Sequence, residues 1–238
     1  MEWLDEGLLL HTQAHGESSV IATFLTQLHG VTKGYIRSSK KYPLQQGNLY
    51  HIRRKARLSS HLGLLNVEPH ESFAPIIVAA MSSPIKLACV NAMRALLMTS
   101  LMDHDRMDHF YFQVKQHVYE VCMNNKFGHY VLFEKDLLMH CGFGLDLTRC
   151  AVTHQTANLV YVSPKSGRAV TEEVGRPYAA QLLALPIPLV QLDCAHWSKE
   201  DIVGGLKLTG YFLSRMVCEN MHRSMPEERH RAVYLLQN

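Results

Sequence analysis

Over roughly the first seventy residues the apolar positions recur in short runs with a period of two, and beyond that point they recur with helical spacing. The clearest alternation spans residues 49–58. Tyr50, Ile52, Ala56 and Leu58 are apolar, whereas His51, Arg53, Lys55 and Arg57 are basic or ionisable. A half-buried strand has this pattern, and it places those cations together on one solvent face. Arg54 interrupts the alternation, so a bulge or an exposed edge is expected there. Residues 8–12, 19–26, 31–37, 48–58 and 63–68 are five strand candidates separated by turn residues. Five consecutive short strands suit a small closed or partly open barrel, of which the OB-fold is the commonest nucleic-acid-binding form.

Around Pro69 and Pro75 the pattern changes, which divides the chain into a barrel domain over 1–72 and a mostly helical domain over 73–238. Ser83 and Pro84 suit the N-cap and first position of a helix carrying Ile85, Ala88, Cys89, Ala92, Met93, Leu96 and Leu97. Residues 107–123 and 130–141 repeat the helical period, the second run ending at Gly142. Ser198 followed by Asp201 is close to a capping box, and Pro226 opens a last short helix. The Met and aromatic stripes on these helices are read as core. Between them, 142–192 is a loop-rich insertion with a short strand at 159–163 and a turn over Pro164-Lys-Ser-Gly-Arg168.

Charge changes the picture in one place. Of the 24 Lys and Arg in 238 residues, eight fall between Lys33 and Arg57, where there is no Asp or Glu. Clustered charge of this kind favours a polyanion, because phosphate neutralisation releases counterions. A solvated basic face is the alternative for any charge run. A strand, a basic loop and a basic strand in succession make a groove wall the better reading, with Lys33, Arg37, Lys40, Lys41, Arg53, Lys55 and Arg57 converging on it.

The remaining chemistry is sparse. The start, Met-Glu-Trp-Leu-Asp-Glu-Gly, is acidic where a signal peptide is basic, and no run approaches the roughly 18 apolar residues of a membrane span. A cytoplasmic protein without membrane contact is expected. The six cysteines form no C-x-x-C pair and read as buried free thiols. Fifteen histidines form no H-E-x-x-H, and there is no phosphate-binding G-x-x-x-x-G-K-[ST] loop. Cys141 or Cys150 with His140 or His154 would make a thiol-imidazole pair, but a third, orienting group is missing. Neither catalysis nor a cofactor is expected.

The run Leu8-Leu-Leu-His-Thr-Gln-Ala-His-Gly-Glu-Ser-Ser-Val-Ile, continuing to Phe24-Leu-Thr26 and His29-Gly30, resembles the start of the RecO family of bacterial recombination mediators. Phe133-Glu134, Leu137-Leu138, Gly142-Phe-Gly-Leu-Asp-Leu-Thr-Arg-Cys150 and Ser163-Pro-Lys-Ser-Gly167 extend the likeness over nearly the whole chain in order. The resemblance implies an α+β chain, an N-terminal five-stranded OB-fold followed by a helical domain. It also implies binding to single- and double-stranded DNA, annealing, and work with RecR to help RecA displace single-strand-binding protein (SSB), whose C-terminal tail is a further partner. Aromatic stacking contributes to such binding. Of Tyr35, Tyr42 and Tyr50, the alternation turns Tyr50 inward, and Tyr42, in the basic loop, is the better placed. An OB-fold RNA-binding accessory is the alternative.

Many members of that family carry a zinc finger of two C-x-x-C pairs after the Gly-aromatic-Gly turn. Here Cys150 stands alone, Thr153 takes its partner position, and 167–173 reads Gly-Arg-Ala-Val-Thr-Glu-Glu. One cysteine with His154 cannot supply four tetrahedral ligands. A degenerate, zinc-free finger loop is therefore expected, held by packing around Leu159, Tyr161 and Val170. Some members also place arginine just before the Phe-Glu pair, near the site for the SSB tail, where this chain has Val131-Leu132.

Overall fold

The computed structural model describes residues 1–17, 19–37, 44–58, 61–101, 107–191 and 197–238. Five strands, β1 (Glu2–His15), β2 (Ser19–Thr26), β3 (Gly30–Arg37), β4 (Leu49–Lys55) and β5 (Leu64–Pro69), close a barrel in the order β1-β2-β3-β5-β4. All neighbours are antiparallel except β3 and β5, which run parallel through Tyr35 and Leu64. This is the OB-type barrel that the alternation predicts. β1 is much longer than its apolar pattern at 8–12, because Glu2, Asp5 and Glu6 hide a strand that pairs with β4 over its first half and β2 over its second.

Three consecutive leucines in β1 show how the barrel meets the rest of the chain. Leu9 points into the barrel with Ala22, Phe24, Ile36, Tyr50, Ile52 and Leu65. Leu8 and Leu10 both face outward, into a larger core shared with the helices. Residues two apart on a strand share a face, and a one-residue register shift between Leu9 and His11 then keeps His11 on the outside as well, directly after Leu10. The carbonyl of Leu10 accepts from Arg94 Nη1 at 2.6 Å. Leu25, Val31 and Leu49 complete the apolar seat on the barrel wall.

The second half contains α1 (Ala74–Met81), α2 (Pro84–Ser100), α3 (Asp108–Asn124) and α4 (Gly128–His140). A small sheet follows, ordered β7-β6-β8 and built from β6 (Leu159–Val162), β7 (Ala169–Thr171) and β8 (Leu183–Ala184), with the single turn α5 (Glu172–Gly175) inserted. Then come α6 (Lys199–Ser214), which runs on into a π-helical turn over Arg215–Asn220, and α7 (Glu227–Gln237). α3 and α6 pack on α4, and α7 packs on α2. α6 opens with a complete capping box, Ser198 Oγ accepting from Asp201 N and the Asp201 carboxylate from Ser198 N. Among the described residues no single helix is long and apolar enough to cross a membrane. Of the cysteines, Cys89, Cys122 and Cys150 are buried free thiols, Cys141 is half-buried and Cys218 exposed, and Cys194 lies outside the described residues.

Candidate nucleic-acid interface

Beyond the leucine seat, the outer face of β1, β2 and β3 is a grid of three rows. His11, Thr23 and Lys33 form the first, Gln13, Ile21 and Tyr35 the second, and His15, Ser19 and Arg37 the third. Strand geometry makes this surface roughly 13 Å by 10 Å, enough for a few nucleotides. None of the nine residues is acidic. His11, Gln13, His15, Lys33 and Arg37 are exposed, and Tyr35 and Ile21 half-buried. The His15 ring lies 4.9 Å from that of Tyr35, tilted by 58°. Arg37 has no carboxylate partner among the described residues. Two cations thus flank one aromatic ring, with two imidazoles and an amide opposite, so phosphates and a base face can be met on one surface.

Of the residues expected to bind DNA, Lys33 and Arg37 lie on this grid. Lys40, Lys41 and Tyr42 lie outside the described residues. Arg53, Lys55 and Arg57 are exposed as the alternation predicts, but they do not join Lys33 and Arg37 on one wall. The strand order inserts β5 between β3 and β4, and two strands of a five-stranded barrel are on the order of 140° of arc. Arg53 and Lys55 also share a carboxylate, Glu2 on β1, at 4.0 and 3.2 Å. The single convergent wall is therefore corrected to two separate ones.

Arg54 corrects a second expectation. β4 keeps an unbroken register with both neighbours, with no bulge, and Arg54 is only 5% exposed. It follows Tyr50 and Ile52 on the inward face, where the barrel mouth lets its guanidinium carbon lie 5.8 Å from the Trp3 ring centroid while Nη2 donates to the His61 carbonyl. Tyr50 is inward and 2% exposed, as its position predicts. His11, Gln13, His15 and Ile21 were not singled out by sequence. The polar residues at alternate positions 11, 13 and 15 are the signal that would have found the three on β1, whereas Ile21 on β2 carries none.

With that geometry in place, family models add a decisive observation. The model for the N-terminal part of recombination protein O matches residues 1–73, and that for its C-terminal part matches 81–225. The chain belongs to the RecO family. It is 38% identical to DNA repair protein RecO of Cereibacter sphaeroides (strain KD131), covering 99% of this chain and 98% of that one. It is 39% identical to DNA repair protein RecO of Chelativorans sp. (strain BNC1), covering 96% and 93%. To DNA repair protein RecO of Bradyrhizobium sp. (strain ORS 278) it is 36% identical over 92% and 89%. This is a DNA repair protein of the RecO family.

The zinc finger found in many RecO-family proteins does not fit the residues here. Cys150 Sγ accepts the Thr171 backbone N–H at 3.5 Å and lies 3.7 Å from the Thr171 hydroxyl. Burial would raise the thiol, but hydrogen bonds from the Thr153 side chain and backbone, and from the backbone of Val152 and Thr171, outweigh it and bring the thiol down to about 6. A lone sulfur with threonine hydroxyls is not the soft tetrahedral donor set of structural zinc. Among the described residues no three His, Cys, Asp or Glu are grouped to hold a metal. The loop is closed by these bonds and by Leu159 and Val170, both 6% exposed, with Tyr161 packed beside them.

Proposed function

We propose that this RecO-family chain is a recombination mediator without catalytic activity, which binds single- and double-stranded DNA and anneals complementary strands. In the same reading it helps RecA load onto SSB-coated DNA, and its helical domain receives RecR and the SSB C-terminal tail. Its place is the cytoplasm, at the nucleoid. The observation that supports this most is the acid-free grid of His11, His15, Lys33, Tyr35 and Arg37 on the barrel wall opposite the interior core. Neutralising two strands' phosphates lowers the repulsion between them, so annealing needs no bond to be broken, only charge and placement.

The grid's phosphate and stacking contacts suit RNA as well, and competition between single-stranded DNA and RNA of the same sequence separates the two readings. The test of the function is salt-titrated annealing of complementary oligonucleotides, coated or not with SSB, together with binding of an SSB C-terminal peptide. Annealing that falls steeply with salt, a DNA preference and capture of the peptide support the reading. Preference for RNA, or annealing no faster than in buffer alone, overturns it.

A further inference from the structure

The outward cations of β4 are not part of the grid, and their surroundings give them a distinct character. Arg53 and Lys55 face solvent beside β1 and β5, and Arg57 follows them without a carboxylate partner among the described residues. Among the described residues Glu2 is the sole acid paired with them, its two oxygens divided between Lys55 Nζ at 3.2 Å and Arg53 Nε at 4.0 Å. The next outward acid on β1, Glu6, is already engaged by Lys115 at 2.7 Å and by the Tyr111 hydroxyl at 3.1 Å. On the other side, the β5 residues paired with Lys55 and Arg53 are Leu64 and Asn66, which carry no charge. Beside the wall lies a surface hollow of about 390 Å³ lined by Met1, Glu2, Lys55, Ala56 and Arg57.

We propose that the β4 wall is a second phosphate-binding surface and that Glu2 acts there as an internal stand-in for a phosphate, displaced when nucleic acid arrives. The proposal rests on the DNA-binding reading above and extends it to residues outside the grid. A carboxylate dividing two oxygens between a guanidinium and an ammonium occupies the positions that phosphate oxygens would take. Glu2 is held weakly: all three side chains are more than 40% exposed, and ion pairs of that kind are screened and contribute little. A polyanion that releases counterions on arrival outcompetes such a pair, whereas a single small anion does not. The phosphates come either from a later stretch of the strand on the grid, crossing β5 over Leu64 and Asn66, or from a second strand.

The test measures anisotropy of labelled oligothymidylates, one short and one long, across a salt series. The proteins are the unaltered chain, Glu2→Gln, the combined Arg53→Ala, Lys55→Ala and Arg57→Ala variant, and Glu200→Gln. The last makes the same change in net charge on an exposed residue of α6. Glu2→Gln is expected to tighten binding on the order of threefold, the scale of one exposed ion pair. Its salt slope should match that of the unaltered chain, since Glu2 is displaced in the complex and the same phosphates are neutralised. The triple variant, with an unchanged circular dichroism spectrum, should bind more weakly with a shallower slope, and Glu200→Gln should match the unaltered chain. Two short oligomers per chain, reduced to one in the triple variant, assign the wall to a second strand. One short oligomer per chain, with effects on the long one alone, assigns it to the same strand. A Glu2→Gln variant with unaltered affinity, or no different from Glu200→Gln, overturns the proposal. Failure of the unaltered chain to bind either oligomer overturns the DNA-binding reading itself.

Discussion

Glu134 and Arg229 face one another inside the helical half, Nε and Nη2 of the guanidinium donating to the two carboxylate oxygens at 2.9 and 3.0 Å. Glu134 is fully buried and Arg229 7% exposed. The Thr209 hydroxyl donates to the same carboxylate, so α4, α6 and α7 meet at a single buried charge pair. Burial pulls the Arg229 guanidinium down, and the Glu134 carboxylate outweighs it, holding the guanidinium above its ordinary value. The Phe133-Glu134 motif is thereby explained as an internal anchor for the last helix. Removing one partner strands the other charge, so Arg229→Met or Glu134→Gln is expected to cost about 3–5 kcal/mol in urea denaturation. The combined Glu134→Leu and Arg229→Met chain should recover most of that loss. Equal destabilisation by the double variant would show that packing, not the charge pair, is what the singles disturb.

Gly34 faces into the barrel where β5 comes closest to β3. A Cβ at this position would lie 2.5 Å from Leu65 Cγ and 3.0 Å from the Leu62 carbonyl oxygen. Overpacking at such a site costs about 1–3 kcal/mol. Gly34→Ala is therefore expected to lower the melting temperature, and Leu65→Val in the same chain to restore part of it. No change on Gly34→Ala would mean the barrel is looser there than its packing indicates.

Between α3 and α4, His117 Nε2 is 3.0 Å from the Asp136 carboxylate and its Nδ1 is 3.1 Å from His129 Nδ1. Two ring nitrogens that close share one proton. Burial, with His117 alongside, pulls His129 down to about 4 from its ordinary 6.5. The unfolded imidazole takes up a proton below about 6.5 and the folded one only near 4, so the unfolded state binds more protons in that window. Stability is full above about pH 6.5 and falls as the pH is lowered towards 4. Melting curves across this range should show the decline, and His129→Gln should flatten it. Parallel profiles for the two proteins would remove His129 as the cause.

Much of the architecture can be read from the chain because burial on two sides leaves a plain imprint. Alternation over Tyr50, Ile52 and their charged neighbours marks β4, and the capping residues Ser198 and Asp201 mark the start of α6. α1 leaves no such trace: Ala-Pro-Ile-Ile-Val-Ala-Ala-Met is apolar throughout, and a short uniform run has no period to distinguish helix from strand. The candidate site was legible in its charge but not in its shape. Charge clustering along the sequence groups Lys33 and Arg37 with Arg53 and Lys55, while barrel closure sets β5 between them, a separation that depends on pairing partners distant in the chain. Arg54 misled for a related reason. A long side chain at a barrel mouth can keep an inward position by setting its guanidinium over Trp3 and donating from Nη2 to a carbonyl.

The grid on β1, β2 and β3 is tested most directly by the affinity of single-stranded DNA, measured over a salt series, for Lys33→Ala with Arg37→Ala and, separately, for Tyr35→Ala. The two cation replacements should weaken binding and lower the salt slope by roughly 0.7 for each phosphate left without its cation. Tyr35→Ala should cost about 1–3 kcal/mol with the slope unchanged, since stacking releases no counterions. Variants that stay folded and bind as tightly as the unaltered chain, with the same slope, would contradict the assignment of this wall to DNA.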